Sequence, residues 1–255
     1  IPDGQARIQA LLTGQIDMNR YVPFNQKKIF DGNPKFNVSV IPTGNWRGMV
    51  MRTDVAPFDD PRVRKAVRIA VDRQELVDLV MAGAATVSCD TPVAPSDQYR
   101  MEKNCPPQPA TAKKLLKEAG YPDGIDMTIH VSTKEPTWPT IAEVLQQQFA
   151  KANIRADIQM TPSKSYWNET WMKKAVAMTR WNERPADSIL HEAYHSEAKW
   201  NESFYKSASF DKNLAEARGE LNFNKRKKAY INAQKTLWEE SGTMIPYHVS
   251  RLVVT

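Results

Sequence analysis

The sequence predicts an α/β protein built on a largely buried sheet. Three observations carry this. Strand-like apolar runs alternate with helical stretches along the chain. The clearest helical stretch, "DDPRVRKAVRIAVDRQELVDLVMAG", has a wide apolar face. At 255 residues, with 41% hydrophobic and 25% charged residues, the chain can bury a core as one large or two small domains.

Taken in order, Ile8, Leu11 and Leu12 recur at helical spacing up to Gly14, and a short apolar "IDM" follows. This reads as helix, then strand. A polar helix is expected around residues 22–31, and then two strand-like runs, "FNVSVIPTG" and "NWRGMVMRT", separated at Gly44. In the clearest helical stretch Asp60 is placed to cap and Pro61 suits the first turn, while a break near Asp72 divides it into two helices. Residues 91–109 are rich in proline and lack periodicity, which predicts a long loop. Beyond it a helix closes at Gly120, "IDMTIHVST" reads as a strand, "TIAEVLQQQFAKANI" as a helix and "RADIQMTP" as a strand. A helix near 164–174, the strand "VAMTRW", helices near 187–195, 210–221 and 224–241, and a final strand "MIPYHVSRLVVT" complete the order.

Composition excludes several classes. No apolar run is long enough to span a bilayer as a helix. The net charge of +6 is spread along the chain, and its densest cluster, "NKRKKAY", lacks interleaved stacking aromatics, so it reads as a solvated helix face. No nucleic-acid partner is expected. Cys89 and Cys105 flank fifteen residues of the loop region. A disulfide there would suit an exported protein; two free thiols are the alternative. The opening "IPDGQARIQALL" has no leader pattern and reads as mid-domain sequence, which suggests a fragment or a processed chain.

The stretch "PFDDPRVRKAVRIAVDRQELVDLVMAG" resembles the signature of family 5 extracellular solute-binding proteins, the dipeptide, oligopeptide and nickel receptors of bacterial ABC importers. "ARIQALLTGQIDM", "ATAKKLLKEAGYPDG" and "FDKNLAEARGELNFNKRKKAYINAQKTLWEESGTMIPYH" resemble further pieces of that family in the same order. The resemblance implies a periplasmic-binding-protein-like fold of type II with an extra domain, two lobes, and a ligand held between them. It implies that residues 1–43 end the first segment of lobe I, 44–244 form lobe II, and 245–255 return toward lobe I. It further implies a monomer that works in the periplasm, or on a lipid anchor outside a Gram-positive cell. Such a protein takes a peptide, a peptide-like solute or an anionic conjugate, and delivers it to the transmembrane subunits of a permease. No cofactor and no catalytic residue are expected.

Candidate ligand residues lie in three places. Trp46 and Arg47 sit on one interlobe crossing, Trp to stack and Arg to hold an anion with its planar fork. As neighbours on a strand they point to opposite faces, so at most one reaches the ligand. In "MTRWNERPADSIL", Trp181 aligns with the tryptophan of the peptide receptors' Trp-x-Ala-Asp pattern, which places Arg184 on their amine-binding aspartate and Asp187 on a second aspartate. A cation at that position favours a carboxylate or phosphate over an ammonium group. Trp200 and Asn201 resemble a family segment near the cleft.

The rival reading comes from "HEAYH". His191 and His195, at i and i+4, share one helix face and could hold zinc, with Glu192 as general base in a hydrolase. A third protein ligand would have to come from Glu197 or Glu202 by a sharp return of the chain. His130 and His248 read as strand residues.

Overall fold

The computed structural model describes residue 1 and residues 3–255. Its centre is a six-stranded sheet formed by β1 (Val38–Met51), β2 (Ala85–Val87), β3 (Ile125–Ser132), β4 (Ile154–Thr161), β5 (Val176–Trp181) and β6 (Thr243–Val254), in the order β2-β6-β1-β5-β3-β4. β3 is parallel to β4 and β5, whereas β1 runs antiparallel to both β5 and β6. The expected mixed α/β class is observed.

Local chemistry explains the helix starts. Asp60 accepts from Arg62 N at 2.8 Å and Pro61 opens α2 (Pro61–Ile69). Asp72 accepts from Glu75 N at 3.1 Å and opens α3 (Arg73–Met81), which is the expected break. α1 (Gly4–Leu12), α4 (Pro109–Glu118), α5 (Trp138–Ala150) and the short turn α6 (Ser163–Ser165) precede α7 (Ala186–Tyr194), α8 (Ala208–Gly219) and α9 (Phe223–Glu240).

Strand alternation sends side chains to two cores. On one side Met49, Met51, Met178 and Tyr247 pack with residues of α2, α3, α4 and α5 such as Val63, Leu76, Leu116 and Leu145. On the other, Trp46 and Trp181 pack with Ile189, Leu190, Phe210, Tyr230 and Leu237 of α7, α8 and α9. A third, smaller cluster joins Ile8, Leu11, Val22 and Phe30 to Leu252 and Val254 at the end of β6.

Several expectations change. The two runs split at Gly44 form one fourteen-residue strand, β1, with irregular pairing to β6 between Pro42 and Trp46. The "IDM" strand is absent; after the turn at Gly14 the chain meets β6 in a single bridge, Asn19 to Val254. Phe24–Ile29 is a 3-10 turn, and the helix expected near 164–174 is only α6 followed by a π turn, Tyr166–Thr170. There Tyr166 plugs into the sheet, its hydroxyl donating to the carbonyl of Met178, while the Trp171 indole donates to Glu202 at 2.7 Å. β2 is too short to have left a periodic signal.

Cys89 and Cys105 are joined in a disulfide, with Cα atoms 5.7 Å apart. It staples the proline-rich loop, which carries Asp97 to the start of α7, where its carboxylate accepts from Ala186 N at 2.9 Å. Replacing both cysteines by serine is expected to cost about 3 kcal/mol, read as a lower thermal midpoint, and to raise hydrogen exchange at the first turn of α7.

Candidate ligand-binding site

Ligands of open α/β sheets bind beyond the carboxyl ends of the strands. Here β3, β4 and β5 end at one edge, and β1 passes antiparallel beside β5 and continues past it. The register sets Trp46 opposite Trp181 and Arg47 opposite Arg180, and on the far side of β1 it sets Arg47 opposite Tyr247. Adjacent residues face opposite ways, so this edge carries an arginine face and a tryptophan face.

On the arginine face, Arg180 Nε donates to Glu135 Oε1 at 2.9 Å. The Trp167 ring centroid lies 6.0 Å from the Arg180 guanidinium. Arg47 is half-buried, and among the described residues its guanidinium donates to the Trp46 carbonyl at 3.1 Å. Burial holds its pKa below the ordinary guanidinium value, Glu135 pulls it up, and Arg180 pushes it down again. Tyr247, Val249 and Arg251 alternate onto this same side of β6. Beside them is a cavity of about 370 Å³, whose lining includes Tyr21, Phe24, Asn45, Arg47, Pro136 and Arg251. The Arg251 guanidinium lies 5.1 Å from the Tyr21 ring centroid. The lining holds two arginines and no acidic residue.

A larger groove, about 710 Å³, lies past Met51 at the other end of β1, among Thr53, Asp54, Arg64 and Glu240. Its arginine is already used: Arg64 donates to the carbonyls of Phe58, Asp59 and Glu240. It also sits away from the carboxyl ends of the parallel strands, so the smaller cavity is the better candidate.

On the tryptophan face the candidates separate. Trp46 is 1% exposed and Trp181 is 9% exposed, both within the core under α7, α8 and α9. Trp46 thus packs within the core, on the face of β1 opposite Arg47. Trp200 is 43% exposed and meets Trp181 edge-on at 6.0 Å. Asn201 is buried, its amide donating to the carbonyls of His195 and Tyr205 and its carbonyl accepting from Tyr205 N at 3.1 Å. It closes a loop, with its side chain spent on that loop's own backbone.

The other candidates are tied to neighbours. Arg184 Nε lies 3.6 Å from Glu192 Oε2. Asp187 pairs with Arg218 at 3.0 Å and accepts from the Tyr230 hydroxyl at 3.2 Å. The start of α7 is capped by Asp97 rather than by Asp187 or Ser188. Midway along β1, Gly44 N donates to Glu183 Oε2 at 2.8 Å and Glu183 N donates to Asn45 Oδ1 at 2.8 Å. Gly44 is required there, since a Cβ would fall 2.6 Å from both Ala94 Cβ and Glu183 Cγ.

The same accounting covers "HEAYH". Its two rings lie 4.9 Å apart, but His191 Nδ1 faces the Arg218 guanidinium at 3.3 Å and His195 Nδ1 accepts from Glu197 N at 3.2 Å. His195 ends the helix, and Glu192 is engaged with Arg184. Burial, then the charges of Arg218 and His195, lower the His191 pKa. Among the described residues, no three His, Cys, Asp or Glu side chains are grouped to hold a metal ion. The geometry thus gives the hydrolase reading no support.

Residues 1–201 match the family described as bacterial extracellular solute-binding proteins, family 5, middle region. The chain belongs to this family. It is 31% identical over 266 residues to the glutathione-binding protein GsiB of Salmonella typhimurium and 30% identical to that of Escherichia coli K12, each match covering 99% of the chain. The chain spans about half the length of these curated relatives, 52% of each. Among solved structures it is similar to the periplasmic binding protein DppA of Helicobacter pylori in complex with the peptide STSA, at TM-score 0.84 and 23% identity, covering 100% of this chain and 51% of that one. It is also similar to HbpA2 of Haemophilus parasuis, at TM-score 0.86 and 23% identity, covering 100% of this chain and 52% of that one. At these identities the structural matches show the fold, which is that of periplasmic binding proteins.

For this solute-binding family member, sequence reading passed over Arg180, Glu135 and Arg251, and weighed Glu202 only as a third zinc ligand. The first three meet Arg47's face only through strand register and a loop. Glu202 is a buried carboxyl, 8% exposed, that accepts from the Trp171 indole at 2.7 Å and the Thr179 hydroxyl at 2.9 Å. Burial raises its pKa from 4.5 to about 7, although hydrogen bonds from Trp171, Thr179 and Trp181 oppose the rise. A raised native pKa means that the folded state binds the proton more tightly than the unfolded one. The associated stability is fully present below pH 4.5 and is lost as pH rises through about 7. The loss is expected to be about 3 kcal/mol. His248, held down at about 3 chiefly by burial, titrates in the opposite sense, so the difference between wild type and Glu202→Gln isolates the effect. Chemical denaturation at a series of pH values should show the Gln variant losing less stability between acid and alkaline buffer. Parallel curves would refute this.

Proposed function

We propose that the chain is the ligand-holding part of the substrate-binding component of an ABC importer. It captures a small peptide, or a peptide-like or anionic conjugate, and hands it to the permease. Residues 1–43 belong to lobe I, 44–244 form lobe II and 245–255 return to lobe I. The observation that carries the reading is the cavity beside Arg47, which draws its walls from all three segments: Tyr21 and Phe24, then Arg47 and Pro136, then Arg251. A cleft between lobes couples ligand binding to closure, the state in which a permease can recognise a loaded receptor.

In this reading Arg47 is the principal ligand contact among the residues singled out from sequence. Trp181, Arg184, Asp187 and Trp200 stand at the margin of the cleft, where Arg184 and Asp187 position α7. The protein acts as a monomer outside the cytoplasmic membrane, without cofactor and without covalent chemistry. In keeping with that place, no helix among the described residues is long and apolar enough to cross a membrane. The similarity to glutathione-binding proteins makes glutathione the first solute to try. Thermal-shift screening of the full chain against glutathione, dipeptides, tripeptides and sugar or amino-acid conjugates tests the proposal. A saturable rise in midpoint with one of them is expected, and no shift with any of them counts against it.

A further inference from the structure

We infer that Arg47 and Arg251 form a two-point anion clamp that selects solutes carrying free carboxylates; the inference rests on the solute-binding reading above. Both side chains line one cavity. Arg47 lies opposite Tyr247 on β6, and Arg251 follows four residues later, so alternation turns both arginines into the same cavity of about 370 Å³.

The third arginine of this face, Arg180, already has a carboxylate, Glu135, at 2.9 Å. Arg47 has a single hydrogen bond to the Trp46 carbonyl, and Arg251 has its contact with the Tyr21 ring; neither makes an ion pair among the described residues. Glu135 stands next to the lining residue Pro136 and acts on Arg47 through space, but its hydrogen bond goes to Arg180, so no acidic side chain pairs with either cavity arginine. A half-buried guanidinium with most of its five donors unused is costly to keep, and an incoming carboxylate repays that cost with paired, charge-assisted hydrogen bonds. The same geometry disfavours a solute that presents only an ammonium or a neutral amide to this wall.

The cavity's size fits a small molecule rather than a long peptide. A solute with two carboxylates, one at each guanidinium, satisfies both cations. Arg184, expected from sequence to hold the anion, is instead paired with Glu192, so the anion-binding role passes to the strand arginines.

Equilibrium titrations of the full chain with glutathione, trialanine and trialanine amide test the clamp. Glutathione has two free carboxylates, trialanine one and the amide none. The expected order is glutathione tightest and the amide weakest. Arg47→Met and Arg251→Met are each expected to weaken glutathione by about tenfold to a hundredfold, with the amide unaffected. Arg47→Lys, which keeps the charge but loses the fork, falls between wild type and Arg47→Met. Circular dichroism of each variant establishes that it is folded. The clamp is overturned if the amide binds wild type as tightly as the acids, or if folded Arg47→Met and Arg251→Met retain wild-type affinity; the solute-binding reading then survives. If none of the three binds, and none of the screened solutes does, that reading falls and the clamp with it.

Discussion

Asp90→Ala is expected to destabilise the folded chain by about 3–5 kcal/mol, because it strands two buried guanidinium groups. Arg68, Arg73 and Asp90 are 1%, 3% and 3% exposed. Asp90 Oδ2 lies 2.8 Å from Arg73 and 3.5 Å from Arg68, and its Oδ1 accepts from Ile245 N at 2.9 Å. One carboxylate therefore ties α2 and α3 to β6 inside the sheet. Asp90 also has φ 60°, a left-handed conformation that Asn and Asp tolerate better than Ala. Asp90→Asn keeps an acceptor for Ile245 and the backbone preference but removes the charge, so it should fall between wild type and Ala. Denaturant unfolding of the three proteins measures the series. Equal stability of Asn and wild type would mean that the charge contributes nothing.

Trp46→Ala is the second large effect, expected at about 3–5 kcal/mol from the cavity it leaves. Trp46 is 1% exposed and packs with Val93, Trp181 and Ile245 beneath α7, α8 and α9. Its indole N–H has no hydrogen-bond partner among the described residues, so Trp46→Phe loses packing volume but no hydrogen bond and should cost distinctly less. Because the side chain lies on the face opposite Arg47, folded Trp46→Phe is expected to bind solute as wild type does. Unimpaired stability in Trp46→Ala, with solute binding lost, would return Trp46 to the cleft.

What was legible in the sequence was local. Asp60 with Pro61, and Asp72, act on backbone groups within three residues, so their caps could be read directly. The wide apolar face of α2 needed only its own period. What escaped depended on partners far along the chain. β1 reads as two strands because Gly44 ordinarily interrupts one, and the carboxylate that carries it through, Glu183, is 139 residues away. The segment 164–174 reads as a helix, yet Tyr166 and Trp171 are drawn to Met178 and Glu202, which leaves a π turn.

The site divides in the same way. Arg47 was visible as a cation on a crossing strand, and its opposition to Trp46 followed from alternation. Its companions were not visible, because Arg251 reaches the same cavity through the pairing of β1 with β6, and Arg180 through the pairing of β1 with β5. Trp46 and Asn201 drew notice for side chains that suit ligands, and burial turned both to packing. "HEAYH" has a metal-binding spacing, but Arg218, Arg184 and the backbone of Glu197 engage His191, Glu192 and His195.

The central claim, that this is a solute receptor whose cleft lies beside Arg47, is tested most directly by calorimetric titration of the full chain with glutathione. The account predicts saturable binding that is weakened in folded Arg47→Met. No binding of glutathione, together with no binding of any screened peptide or conjugate, would contradict it.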